Sequence, residues 1–380
     1  MTEIRGSNDA RFDSVRSALE QNVASGEELG ASLVLDIDGE VVVDLWGGFR
    51  DQARTTPWDE HTITNVWSTT KTVTSLAALM LVDRGELDLR APVAKYWPEF
   101  AAAGKQDVEV RHLLSHTSGV AGFDQPVLLR DLYDWDEATA RLAAQAPWWT
   151  PGTASGYHAS NYGHLVGEVV RRVSGKPLKR FVAEEIAGPL GADFQIGAAE
   201  RDWDRIADVV PPPPVPFDFA ALPADSVVVR SLTGPVIKAE DANSPDWRRA
   251  DIGAANGHGN ARSVARVLSV LARGGEVDGV RLLGPATIDL IFDEQANGVD
   301  LGLGIPLRWG VGYGLPGTLD WVPAGKVCFW GGWGGSVVIA DLERRLTIAY
   351  VMNRMAPGII GSDRSGTYVK AIYDALGHDA

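Results

Sequence analysis

NVWSTTKTVTS, residues 65–75, sets Ser68 and Lys71 three positions apart at the head of a run whose apolar residues recur at helical spacing. On a helix, positions i and i+3 share a face, so the lysine amine can reach the serine hydroxyl. A serine hydroxyl becomes a nucleophile only when a base takes its proton, and a lysine serves as that base if burial lowers its pKa. The spacing also fits an ordinary helix start, with Ser68 as the N-cap and Lys71 solvated in the first turn. The motif occurs once in the chain, and the rival G-x-S-x-G elbow of α/β-hydrolases does not occur.

Outward from that stretch, ASLVLDIDGEVVVDLWGG (31–48) holds two β-branched runs around Asp38-Gly39, which predicts a hairpin. A helix is expected before it, at about Ala10 to Val23. From about His61 to Gly191 the pattern is mainly helical, in SLAALMLVDRGEL, VRHLLSH, EATARLAAQ and NYGHLVGEVVRRVSG. Arg201 to Asp251 reads as irregular, with four prolines at 211–214, and a connection that long suggests a lid or substrate-shaping loop. A further helix (ARSVARVLSVLARGG) precedes three strands, KVCFWGG, GSVVIADLE and RLTIAYVMN, and GTYVKAIYDALG predicts a last helix. The expected fold is α+β: a mostly antiparallel sheet built from both ends of the chain, flanked by helices, with a helical region inserted. Residues 1–60 with 252–380 would form the sheet domain and 61–251 the helical one.

Composition narrows the function. The 380 residues are 45% hydrophobic, with 35 Lys+Arg against 50 Asp+Glu, a net charge of −15. An acidic surface repels nucleic-acid phosphates and anionic lipid, so neither is an expected partner. No apolar run of about 18 residues occurs, so no membrane span is expected. The N-terminus lacks a basic start followed by an apolar core, and the one cysteine, Cys328, rules out an internal disulfide or a multi-thiolate metal site. These features together predict a cytoplasmic protein. His112 and His116 in HLLSH lack the glutamate of a zinc motif, and GYGLPG (312–317) contains Pro316 and opens no helix. Both are read as structural.

Four stretches in order, WSTTK, VRHLLSHTSGV, PGTASGYHASNYG and FWGGWGGS, resemble the serine β-lactamase/penicillin-binding-protein superfamily. Within it the chain most resembles the family VIII carboxylesterases and class C β-lactamase-like serine hydrolases. The resemblance implies a β-lactamase/transpeptidase-like fold and an acyl-enzyme on Ser68, with Lys71 as its base partner and Tyr157 as proton shuttle. It places the oxyanion hole at the backbone N–H groups of Ser68 and Trp333, and Trp330-Gly331-Gly332 at the third motif. His158, beside Tyr157, is a candidate substrate contact.

The chain departs from the class C pattern twice. Tyr157-His158-Ala159 stands where Y-x-N is usual, and Trp330 stands where K-T-G carries a lysine. Without that cation a neutral ester is a better substrate than an anionic lactam, and the indole is expected to give an apolar wall. The expected activity is therefore a carboxylesterase acting on small to medium esters, with no cofactor or metal. A β-lactamase, a D-amino-acid peptidase or amidase, and an acyltransferase are alternatives on the same site. A silent binding or self-assembling protein is the alternative without chemistry. Eight of the 13 tryptophans, at 148, 149, 203, 247, 309, 321, 330 and 333, are expected in or near the segments around the site.

Overall fold

The computed structural model describes residues 3–214, 222–317 and 319–377. Asp38 and Gly39 both take positive φ, 53° and 90°, the conformation of a tight two-residue turn. That turn pairs β2 (Gly30–Ile37) with β3 (Glu40–Gly48) in antiparallel register, Ile37 opposite Glu40 and Gly30 opposite Gly48. On the far side, β2 pairs with the last strand of the chain. β4 (Val327–Gly331), β5 (Val337–Asp341) and β6 (Leu346–Met352) follow one another as hairpins, and β6 lies antiparallel to β2. With β1 (Arg5–Asn8) on β3, the six strands run β1-β3-β2-β6-β5-β4. The sheet is thus built from both termini, as the sequence predicts.

Every residue of β4, β5 and β6 is buried, so both faces of the sheet are covered. Helix α1 (Asp13–Ser25) packs on the C-terminal helix α6 (Asp363–Ala375), and α5 (Ala261–Ala272) lies against β2, β5 and β6. α2 (Thr70–Asp83) is buried at every residue from Thr70 to Leu81. It runs through the core, with α4 (Tyr162–Ser174) along it and α3 (Trp135–Ala144) packed on α4. A helix buried around its whole circumference lies inside a large core, and the polar groups of its first turns, Thr70, Lys71, Thr72, Thr74 and Ser75, are hydrogen-bonded there.

Three local expectations change. β1, RGSN, carries no alternation of apolar residues and exists because the β3 edge offers it a ladder. The N-terminal helix begins at Asp13, after a 3-10 turn Ala10–Phe12 whose start Asp9 caps. The 201–251 stretch is more ordered than its composition suggests. It holds 3-10 turns at Glu200–Arg205 and Ala239–Asn243 and short helices at Val227–Thr233 and Pro245–Arg249, while its residues 215–221 lie outside those described. Among the described residues no helix is long and apolar enough to cross a membrane.

Candidate active site

Ser68 sits in the turn that leads into α2. The residue before it, Trp67, is held at φ 49°, a left-handed conformation that a bulky side chain adopts only at a cost. Trp67 is wedged between Trp247 and Trp333, with ring centroids 5.5 and 5.0 Å away, and this packing holds the turn. The Ser68 hydroxyl caps nothing. It lies 3.0 Å from Lys71 Nζ, and the helix start at Thr69 has no side-chain cap.

Lys71 is 2% exposed, and its amine has two further partners, the carbonyl oxygens of Ala159 at 2.9 Å and Ala254 at 2.8 Å. No carboxylate pairs with it there, and burial drives its pKa well below 10.5. A neutral amine has two hydrogens and one lone pair. Those hydrogens satisfy the two carbonyls, and the lone pair is left facing the Ser68 hydroxyl.

Tyr157 is also buried, and burial pushes its phenol upward, opposed by its hydrogen bonds with Ser68 and Trp330. Its oxygen accepts from Trp330 Nε1 at 3.0 Å, and Lys71 Nζ lies 4.7 Å from its ring centroid. An arrangement with both Lys71 and Tyr157 uncharged satisfies every group. Trp330 donates to Tyr157, Tyr157 to Ser68, Ser68 to Lys71, and Lys71 to the two carbonyls. Burial, which raises the phenol's pKa, favours this neutral arrangement over a phenolate sustained by a charged Lys71.

β4 brings the third motif to this point. An added Cβ at Gly332 would lie 2.5 Å from the Val66 carbonyl and 3.1 Å from Trp67 Cβ, so the end of the strand rests directly on the Ser68 turn. Ser336 fastens the contact by donating to the Val66 carbonyl at 2.8 Å and meeting Thr69 Oγ1 at 3.0 Å. Among the described residues neither the Ser68 nor the Trp333 amide has a backbone acceptor, so both N–H groups remain available for an oxyanion.

Three expected roles change. Trp330 is 2% exposed and lies between Trp309 and Tyr157, at centroid distances of 4.4 and 5.2 Å. It serves as a donor to the phenol rather than as a wall for substrate. A Cβ on Gly331 would meet the Gly361 amide, and one on Gly332 would meet Ser336 Oγ and the Val66 carbonyl, so close packing within the protein itself accounts for both glycines. His158 is fully buried, with Nε2 2.6 Å from Ser118 Oγ and Nδ1 2.7 Å from the Gly156 carbonyl. Both ring nitrogens are occupied, so the side chain has none left for a substrate.

His116, at φ 60°, lies outside the short helix Val110–Leu114 that holds His112 and stacks beside Tyr157 instead, which separates the HLLSH pair. Asn161 donates to the Val120 and Gly122 carbonyls and is fully buried, so it does not stand in for the missing Y-x-N amide. Of the tryptophans, 247, 309, 330 and 333 back or border the site, whereas Trp203 packs against Ile63, Ala198 and Ile206. The carbonyls of Ala159 and Ala254 carry no signal in the sequence, because any residue supplies a carbonyl.

The beta-lactamase family model matches residues 15–365. Esterase/beta-lactamase LipL of Mycobacterium tuberculosis is 32% identical over 379 residues, covering 96% of this chain and 86% of its own length. Esterase EstB of Burkholderia gladioli is 29% identical, covering 97% and 94%. Among solved structures, a family VIII carboxylesterase superposes with a TM-score of 0.93 at 41% identity, covering 98% of this chain and 100% of that one. A penicillin-binding-protein homolog from Caulobacter crescentus superposes at 0.91 with 40% identity over the same shares.

Proposed function

The chain belongs to the beta-lactamase family, and from that premise we propose that it is a serine carboxylesterase of the family VIII kind, acting on neutral esters through an acyl-enzyme on Ser68. The observation that carries this reading is the hydrogen-bonded chain from Trp330 through Tyr157 and Ser68 to Lys71, whose pKa burial drives well below its usual value.

Ser68 Oγ attacks the ester carbonyl and its proton passes to Lys71 Nζ. The oxyanion rests on the Ser68 and Trp333 amides, each such donor typically contributing about 2.7–4 kcal/mol. Tyr157 gives its proton to the departing alkoxide, so acylation ends with Lys71 as ammonium and Tyr157 as phenolate, a pair that stabilises itself. Water then attacks the acyl carbon and gives its proton to the phenolate. As Ser68 Oγ leaves, the ammonium returns the first proton to it, and both groups end as they began.

Where a lysine would offer a positive charge to an anionic lactam, Trp330 offers a neutral N–H already bound to Tyr157. That favours esters over the β-lactamase reading, which the name of the relative LipL keeps in view. The test is turnover of p-nitrophenyl acetate and butyrate, beside nitrocefin, by the wild-type enzyme and Ser68→Ala. The variant is expected to lose about a thousandfold or more on the esters. Equal rates for the two proteins would remove Ser68 from the chemistry, and a strong preference for nitrocefin would reverse the choice of substrate.

A further inference from the structure

Asp300 is fully buried, yet among the described residues its partners are neutral N–H groups. Oδ1 accepts from the backbone amides of Tyr157 at 2.8 Å, Gly302 at 2.9 Å and Leu303 at 3.1 Å, and Oδ2 accepts from Trp309 Nε1 at 3.2 Å. Burying a carboxylate without a counter-cation is costly, and the fold retains one here. Asparagine could not replace it. Whichever way an amide turned, its NH2 would face either the indole N–H or the three backbone N–H groups, donor against donor.

The two elements joined in this way both govern Tyr157. One is its own backbone amide. The other is Trp309, whose ring lies 9° from parallel with the Tyr157 ring at 6.1 Å. Trp309 also packs at 4.4 Å on Trp330, the donor to the phenol oxygen. Backbone, ring plane and phenol donor thus converge on one carboxylate. Burial is the main reason that the Tyr157 phenol holds its proton, and the nearby negative charge of Asp300 adds to it in the same direction.

We propose that Asp300 is the positioning residue that holds Tyr157 as proton donor to the leaving alcohol, by binding the Tyr157 amide and the Trp309 indole together. This rests on the reading of Tyr157 as that donor. A p-nitrophenolate leaves without a proton, whereas an ethoxide needs one, so the loss should depend on the leaving group.

The experiment measures kcat/KM, which reports acylation, for p-nitrophenyl butyrate and ethyl butyrate in wild type, Tyr157→Phe, Asp300→Asn and Trp309→Phe. The ratio of the two rates does not depend on the fraction of enzyme that is folded. Tyr157→Phe should raise the p-nitrophenyl preference by about a hundredfold, the size of a general-acid contribution. Asp300→Asn should raise it by about tenfold and Trp309→Phe by a smaller factor in the same direction. Should Tyr157→Phe raise the ratio while the other two leave it at the wild-type value, Asp300 merely supports the fold and the proposal falls. Should Tyr157→Phe leave the ratio unchanged, the reading of Tyr157 fails first and takes the proposal with it. If Asp300→Asn yields no folded protein, Asp300→Glu, which keeps the carboxylate but displaces it from the Tyr157 amide and the Trp309 indole, decides the matter: a raised ratio supports the proposal and a wild-type ratio overturns it.

Discussion

Lys71 is one lysine among the chain's basic residues, and its surroundings alone make it a base. The amine is sealed from water and meets two carbonyls and one hydroxyl, so its charged form has no compensating anion. If this amine is the base, kcat/KM rises with pH as Lys71 loses its proton, and the midpoint lies well below 10.5. A midpoint near 10.5 would assign the proton transfer elsewhere. Lys71→Arg, whose guanidinium does not deprotonate, should show no such limb and lose about 10²–10⁴ in kcat/KM. Trp330→Phe tests a single bond. Removing the indole N–H forfeits about 0.5–1.5 kcal/mol, read as a two- to tenfold fall in kcat for alkyl esters. Ser68, Lys71 and Tyr157 were all legible as candidates from their motifs. Asp300 was not, since a lone aspartate in VDLGLG looks like any loop acid until its partners from distant segments are seen.

At the scale of elements, close backbone contacts bring these residues together. α4 meets the 253–254 segment at Gly163, where an added Cβ would lie 2.5 Å from the backbone of Gly253 and Ala254. That contact holds the Ala254 carbonyl over Lys71. Gly163→Ala should therefore push the carbonyl away, lowering kcat/KM and costing about 1–3 kcal/mol of stability by overpacking, as read by urea unfolding. Wild-type activity in that variant would show that the carbonyl is not needed. The hairpin at Asp38-Gly39 was legible because its turn chemistry is local, and the helices of 61–191 were legible from apolar spacing. β1 and the short helices of 201–251 were not, because their order comes from what they pack against.

Among the described residues, four histidines are fully buried, and burial holds them neutral. Burial lowers His116 well below 6.5, His158 to about 3, and His164 and His258 to about 4. Below pH 6.5 the unfolded chain takes up protons that the folded one refuses, so each histidine removes stability as pH falls toward its folded value. Asp251 works in the opposite sense. Raised by burial to about 6, it gains a proton in the folded state first and adds stability as pH falls from there toward 3.8. A comparison with a variant isolates one histidine. His164 lies away from Ser68, against Phe123 and Trp135, with Nε2 on the Leu132 carbonyl. Between pH 6.5 and 4, wild type should lose up to about 1.4 kcal/mol per pH unit more than His164→Gln, measured by urea unfolding at each pH. Parallel slopes would mean that His164 charges freely in the folded protein.

The sequence by itself determined the family and the antiparallel sheet drawn from both ends, and it offered the serine–lysine–tyrosine set as candidates. Each is written in local spacing or in short ordered motifs, which survive whatever surrounds them. Tertiary structure alone decided how those groups share protons. Burial drives the pKa of Lys71 down while carbonyls from residues 159 and 254 accept its hydrogens, an indole from residue 330 donates to the phenol, and His158 turns inward to Ser118. Burial and hydrogen-bond partners fix protonation, and both come from residues far apart in the chain.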